Sequence, residues 1–166
     1  MERILYLVIL IGLLALVSYQ DFKDRAIDWF LPILLTIVAS LIHYQALSVF
    51  HWPYILSNLT IVLIQLFVLF IYFSIKERRL VNIVNQQLGL GDILFFIPLA
   101  LLFSPIHFVL FFVGSLCITL LIILLLWLTQ KVDYNNIPLA AAMSLNLALW
   151  LVLSFSFDIN LYDDYY

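Results

Sequence analysis

Two aspartates, Asp21 and Asp92, are the residues of this chain whose type and position are best suited to chemistry. Asp92 closes the sequence Gly89-Leu90-Gly91-Asp92 at the head of an apolar run, and Asp21 stands at the end of the first apolar run. An acid that enters a membrane segment is unfavourable there, so its presence points to a functional site. Two carboxyl groups held close together share one proton, and such a pair can activate a water molecule.

Hydrolysis by paired aspartates rests on this sharing of a proton. The ionised member takes a proton from water while the protonated member polarises the carbonyl under attack. Because the pair titrates as a unit, the sequence does not say which aspartate is the acid and which the base. The glycines before Asp92 let the backbone approach a partner helix or a substrate strand, since no Cβ is in the way. The pattern favours an aspartyl protease that works in or at a membrane.

Composition assigns the chain to the membrane. Of its 166 residues, 66% are hydrophobic and 10% are charged, and the mean hydropathy is +1.18. Long apolar runs with few charges are typical of transmembrane helices. We therefore expect an all-α membrane protein, a six-transmembrane-helix bundle that forms one domain over residues 1–166. The six apolar runs are Ile4–Tyr19, Trp29–Val49, Pro53–Ile75, Ile93–Phe103, His107–Leu128 and Ile137–Phe157.

The fourth apolar run is unusually short. As a helix, Ile93–Phe103 would be roughly 16 Å long, whereas the hydrocarbon core of a bilayer is about 30 Å thick. Gly89–Asp92 is therefore expected below the membrane surface. Non-helical backbone is tolerated at that depth only where protein or a water-filled cavity covers it, and a hydrolase needs such a cavity.

The basic residues predict the orientation. Six of the seven lysines and arginines lie in the first, third and fifth loops, and the second and fourth loops have none. The positive-inside rule places the basic loops in the cytoplasm. Both termini are then expected outside, and both Asp21 and Asp92 at the cytoplasmic ends of their helices.

Three short motifs follow one another along the chain. The first consists of Asp21, Arg25 and Ile27, the second is Gly89–Asp92, and the third is Ile137-Pro138-Leu139 at the start of the last run. In this order they resemble the motifs of the prepilin peptidases, the GxGD aspartyl proteases that process type IV pilin-like precursors. The six runs and the orientation also agree with that family, so the resemblance extends over nearly the whole chain.

The resemblance implies a function and a set of site residues. Asp21 and Asp92 would be the catalytic pair, and they would cleave the leader peptides of pilin-like precursors at the cytoplasmic face of a prokaryotic inner membrane. No metal, cofactor or nucleic acid is implied. Longer family members carry a soluble zinc and methyltransferase domain, and the resemblance implies a peptidase-only short form without it. Five further residues would support the motifs or the substrate groove: Gly89, Gly91, Arg25, Ile27 and Pro138.

The chain departs from the family pattern at two places. Asp28 and Trp29 stand where the family usually has Pro-Asn, and Asp28 adds a third acid near the first motif. Leu94 stands where the family commonly has a lysine, two residues after the second aspartate. Because a cation beside Asp92 would influence its ionisation or contact substrate, these changes bear on substrate preference and, to a lesser degree, on activity.

Other interpretations of the same residues stay open. Asp92 is also suited to capping a helix N-terminus, where its carboxylate accepts bonds from free N–H groups. A catalytically silent relative would be a membrane scaffold of a pilus or secretion system. A small proton-coupled transporter would use Asp21 and Asp92 as a relay, although the chain lacks the repeat symmetry common in transporters. The three histidines, His43, His51 and His107, lie away from both acids in the sequence pattern, and we predict no site for them.

Overall fold

The described part of the chain is entirely helical. The computed structural model describes residues 2–24, 26–78, 80, 89–128, 139–157 and 161–162. No strand occurs among them, and the all-α prediction is confirmed. The six helices are α1 (Glu2–Asp24), α2 (Phe30–Leu47), α3 (Trp52–Glu77), α4 (Leu90–Leu102), α5 (Pro105–Leu128) and α6 (Leu139–Ser156).

Four of the described helices are long and apolar enough to cross a membrane, as is typical of a membrane protein. These are α1, α2, α3 and α5, and the other two helices are apolar but shorter. Many apolar side chains of α3 and α5, such as Leu63, Phe67 and Leu120, are exposed on the surface of the bundle. Surfaces of this kind are suited to contact with lipid, since hydrocarbon and leucine are equally apolar.

The described helices other than α4 form an open arc in the order α2, α1, α6, α5 and α3. α1 packs closely on α6, and the two ends of the arc, α2 and α3, do not contact each other within the described residues. α4 packs mainly on α2 and also contacts α3, α5 and α6. Its buried side chains, among them Phe95 and Leu99, join the core that Leu10, Leu14 and Val17 of α1 help to form. Within the described helices, α1 and α4 are not direct neighbours.

α1 extends beyond the apolar run that predicted it. The run ends at Tyr19, but the helix continues to Asp24. Asp21 therefore lies on the last turn of a helix. Asp28, in the connection to α2, accepts a bond from the Gln20 side-chain amide at 2.7 Å, and its own backbone N–H donates to Gln20 Oε1 at 3.2 Å. This reciprocal pair ties the connection back onto α1.

α4 ends inside the bundle, because Leu101, Leu102 and Phe103 are all buried. The last carbonyls of any helix lack partners within the helix, and in a membrane each unsatisfied group is strongly unfavourable. Asn58 of α3 supplies hydrogen-bond donors to two of these carbonyl groups. Its buried amide donates to the Ala100 carbonyl at 3.0 Å and to the Phe103 carbonyl at 2.8 Å.

His43 of α2 and Tyr162 donate hydrogen bonds to the Leu101 carbonyl at the same helix end. The His51 backbone N–H donates to His43 Nε2 at 3.1 Å, so Nε2 is the acceptor nitrogen and Nδ1 carries the proton. Nδ1 then donates to the Leu101 carbonyl at 2.9 Å, and the Tyr162 hydroxyl donates to it at 3.3 Å. His43 is thus a buried residue whose two ring nitrogens both bond to backbone groups.

The two ends of the bundle differ in their polar groups. We call the end that contains Asp21, Asp92 and Ala141 the aspartate end, and the end that contains His43 and Tyr162 the histidine end. α4 runs from the first to the second, and its 13 residues span about 20 Å. α2 runs parallel to α4, because Ile27 lies near Gly91 at one end and His43 bonds to Leu101 at the other.

Candidate functional site

Asp21 is buried against the first turn of α6. Its side chain is 6% exposed, and Oδ2 accepts the Ala141 backbone N–H at 2.7 Å. The first N–H groups of a helix lack partners within the helix, so this carboxylate satisfies one of them. The positive end of the α6 dipole also favours a negative charge at that point. Asp21 is therefore held by a short hydrogen bond in a fixed position.

Asp92 occupies the third position of α4, and the N-cap is Gly89 in extended backbone with φ −65° and ψ 144°. Asp92 Oδ2 accepts the Gly89 backbone N–H at 3.2 Å, which is the returning bond of a capping box. Asp92 thus contributes to capping, but from inside the first turn. The backbone N–H of Ala140 also lies close enough to act on its carboxylate.

The two carboxylates lie on the same cavity at the aspartate end although their helices do not pack on each other. They are close enough for their charges to interact. The first turn of α6 bridges them, since Ala141 bonds to Asp21 and Ala140 faces Asp92. Both acids open onto one cavity of about 350 Å³. Its lining consists of Asp21, Ala26, Ile27, Gly89, Leu90, Gly91 and Asp92.

Gly91 is the point where the first two motifs touch. A Cβ at this position would lie 2.8 Å from the Cβ of Ile27, closer than real Cβ atoms come to one another. The glycine is therefore required for the start of α4 to approach the α1–α2 connection. At Gly89 an added Cβ would lie 3.1 Å from Asp92 Oδ2, so this glycine leaves room for the capping carboxylate.

The neighbouring acids do not line the cavity. Asp24 and Asp28 are exposed, and Asp28 is engaged by Gln20. Arg25 and Pro138, which the resemblance assigned to supporting roles, lie outside the described residues. Among the side chains that the structure describes, no group of three histidine, cysteine, aspartate or glutamate residues could hold a metal ion.

Two parts of the site have no counterpart in the sequence prediction. One is the pair of backbone N–H groups of Ala140 and Ala141, which are chemically the same as those of any residue. The other is the contact between Ser18 and Ser144, whose hydroxyl oxygens lie 2.6 Å apart. The Ile-Pro sequence before α6 indicated only that a helix begins near Ala140 and Ala141, since proline is favoured at the first position of a helix.

Comparisons with protein-family models, with curated proteins and with solved structures give no match for this chain. The likeness to the prepilin peptidases therefore stands on the motif residues alone, and it remains a prediction. The candidate site stands independently on its geometry, with Asp21 and Asp92 on one cavity.

Proposed function

We propose that the chain is a membrane-embedded aspartyl endopeptidase that uses Asp21 and Asp92 as its catalytic pair. One observation carries the proposal: acids from α1 and α4, helices that do not pack on each other, line the same cavity. Separate elements converge in this way at sites where two carboxyl groups act together. Gly91 supports the proposal as well, because it joins the second motif to Ile27 of the first.

The proposed reaction needs one carboxylate, one carboxylic acid and one water molecule. The carboxylate removes a proton from water as the oxygen attacks the scissile carbonyl carbon, and the carboxylic acid gives its proton to the carbonyl oxygen. The tetrahedral intermediate then collapses. The C–N bond breaks, the leaving nitrogen takes the proton held by the first aspartate, and the second aspartate recovers its proton from the hydroxyl group. The pair returns to its starting state.

The proposed substrates are type IV pilin-like precursors, cleaved at the junction between their leader and their hydrophobic segment. In this proposal all six helices lie in a prokaryotic inner membrane, the aspartate end faces the cytoplasm, and both termini are outside. The supporting observations are the three motifs in order, the basic loops and a cavity at the helix ends. The apolar lining from Ala26, Ile27 and Leu90 suits a segment with apolar side chains.

The test is a cleavage assay in membranes with a pilin-like precursor. Asp21→Asn and Asp92→Asn should each lower the cleavage rate at least about 100-fold, because each removes a group that transfers a proton. Asp24→Asn is the matched control, since Asp24 is an exposed acid at the same end of the bundle and does not line the cavity. Cleavage that survives both site substitutions would falsify the two-aspartate mechanism.

A catalytically silent scaffold is the second candidate, and the bond from Ala141 to Asp21 is the observation that favours it. A carboxylate that only caps α6 would show the same contact. In that case the wild type cleaves no precursor, and Asp21→Asn lowers the melting temperature in detergent while the rate stays at background. An active wild type, with Asp92→Asn inactive yet as stable as the wild type, excludes the scaffold.

A further inference from the structure

Two buried contacts join α1 to α6 one helical turn apart. Ser18 Oγ lies 2.6 Å from Ser144 Oγ, and the Ala141 backbone N–H donates to Asp21 Oδ2 at 2.7 Å. Ser18 and Asp21 lie three residues apart on one face of α1, and Ala141 and Ser144 have the same spacing on α6. We call these four residues the α1–α6 seam. All four are buried.

The serine contact fixes more than a pair of hydroxyl groups. Ser18 Oγ also lies 3.0 Å from the Leu14 carbonyl, and Ser144 Oγ lies 3.0 Å from the Ala141 carbonyl. Each hydroxyl has one proton, so one serine donates to the other, and the second donates to its own helix. A slide of α1 along α6 would break both the serine contact and the bond to Asp21.

The seam also determines where Asp21 lies relative to Asp92. Since α1 and α4 are not direct neighbours within the described helices, the position of one acid is not set by packing against the other's helix. It is set through α6, whose first turn contacts both carboxylates. A displacement of about 1 Å between reacting groups is enough to lower a rate substantially. The register of α1 on α6 therefore controls the geometry of the pair.

We propose that Ser18 and Ser144 are positioning residues that hold the two aspartates in register, and that the seam stays closed throughout the reaction. The proposal rests on the proposed function, because it concerns the same pair of acids. With the seam closed, substrate reaches the cavity from the other side, where the α1–α2 connection and the start of α4 form the lining. Neither serine lines that cavity.

The first measurement is the kinetics of the double variant Ser18→Ala/Ser144→Ala. We expect kcat to fall at least about tenfold, since the register is then held less precisely, by the Asp21 bond and helix packing without the serine contact. KM should stay within about twofold of the wild type, because the cavity lining is unchanged. A kcat equal to that of the wild type overturns the proposal, and so does a loss that lies entirely in KM.

The second measurement locks the seam covalently. Ser18→Cys/Ser144→Cys is made in a Cys117→Ser parent, which removes the native thiol. Because the two Oγ atoms lie 2.6 Å apart, Sγ atoms in their place would lie close to each other, as a disulfide requires. We expect rapid, near-complete cross-linking without substrate, and a kcat of the oxidised protein within about threefold of the parent. Oxidation that abolishes cleavage, with recovery on reduction, overturns a seam that stays closed.

A matched control tests whether cross-linking is specific to the seam positions. Leu16 and Leu145 lie on the same two helices and are exposed, so Leu16→Cys/Leu145→Cys should not cross-link. Equal yields from the control pair and the seam pair overturn the fixed register. Absence of cleavage by both the wild type and the Cys117→Ser parent overturns the proposed function, whereas an active parent with an inactive oxidised pair overturns the closed seam alone.

Discussion

At the scale of single residues, Gly91 offers the sharpest test of how the two motifs meet. Gly91→Ala places a methyl group 2.8 Å from the Ile27 Cβ, so the start of α4 has to move away from the α1–α2 connection. We expect the cleavage rate to fall at least about tenfold, because Asp92 follows directly and moves with it. The measurement is the initial rate of precursor cleavage at equal amounts of folded protein.

Gly114→Ala is the control for this substitution. No atom lies within 4 Å of a Cβ added at Gly114, so its rate should equal that of the wild type. A second-site variant sharpens the test. Ile27→Gly removes the atom that the new methyl group meets and should restore part of the rate in the Gly91→Ala protein. If Gly91→Ala cleaves as fast as Gly114→Ala, the close approach at Ile27 is not required.

At the scale of elements, the buried end of α4 depends on donors from other helices. Asn58→Leu leaves the Ala100 and Phe103 carbonyls without their amide donor. Each unsatisfied buried group costs about 1–3 kcal/mol, so we expect a clear loss in the free energy of unfolding measured in detergent. Thr60→Val is the control, because the exposed Thr60 hydroxyl bonds only to a carbonyl of its own helix. Equal losses for the two variants would contradict the capping role of Asn58.

The elements also show which features a sequence can predict. Apolar runs predicted six helices, because burial in lipid demands long apolar segments whatever their neighbours are. The helix end at Asp24 was not predictable from hydropathy, since a helix continues into polar residues as long as its backbone bonds are satisfied. Asp21 and Asp92 stood out because acids are scarce in apolar runs. The donor groups of Ala140, Ala141 and Asn58 could not be recognised in the sequence, because their partners lie far away in the chain.

At the scale of the whole molecule, the positive-inside rule predicts that the aspartate end faces the cytoplasm. Exposed residues at the two ends allow a test in a Cys117→Ser background: Asp24→Cys at the aspartate end and Val49→Cys at the histidine end. A membrane-impermeant thiol reagent added to intact cells should label Val49→Cys. Asp24→Cys should react only after the membrane is permeabilised. The reverse pattern would place the acids outside and remove the cytoplasmic precursor as substrate.

The buried reversal between α4 and α5 has a consequence for biosynthesis. Ser104 is buried there, and its backbone N–H donates to the Leu161 carbonyl at 2.9 Å. The Leu101 carbonyl accepts a hydrogen bond from the hydroxyl of Tyr162, which lies 61 positions later in the chain. While the ribosome is still making α5 and α6, these partners do not yet exist. His43 and Asn58 are made before α4, but the Ser104 N–H and the second bond to the Leu101 carbonyl have their partners only after residue 162 has been translated.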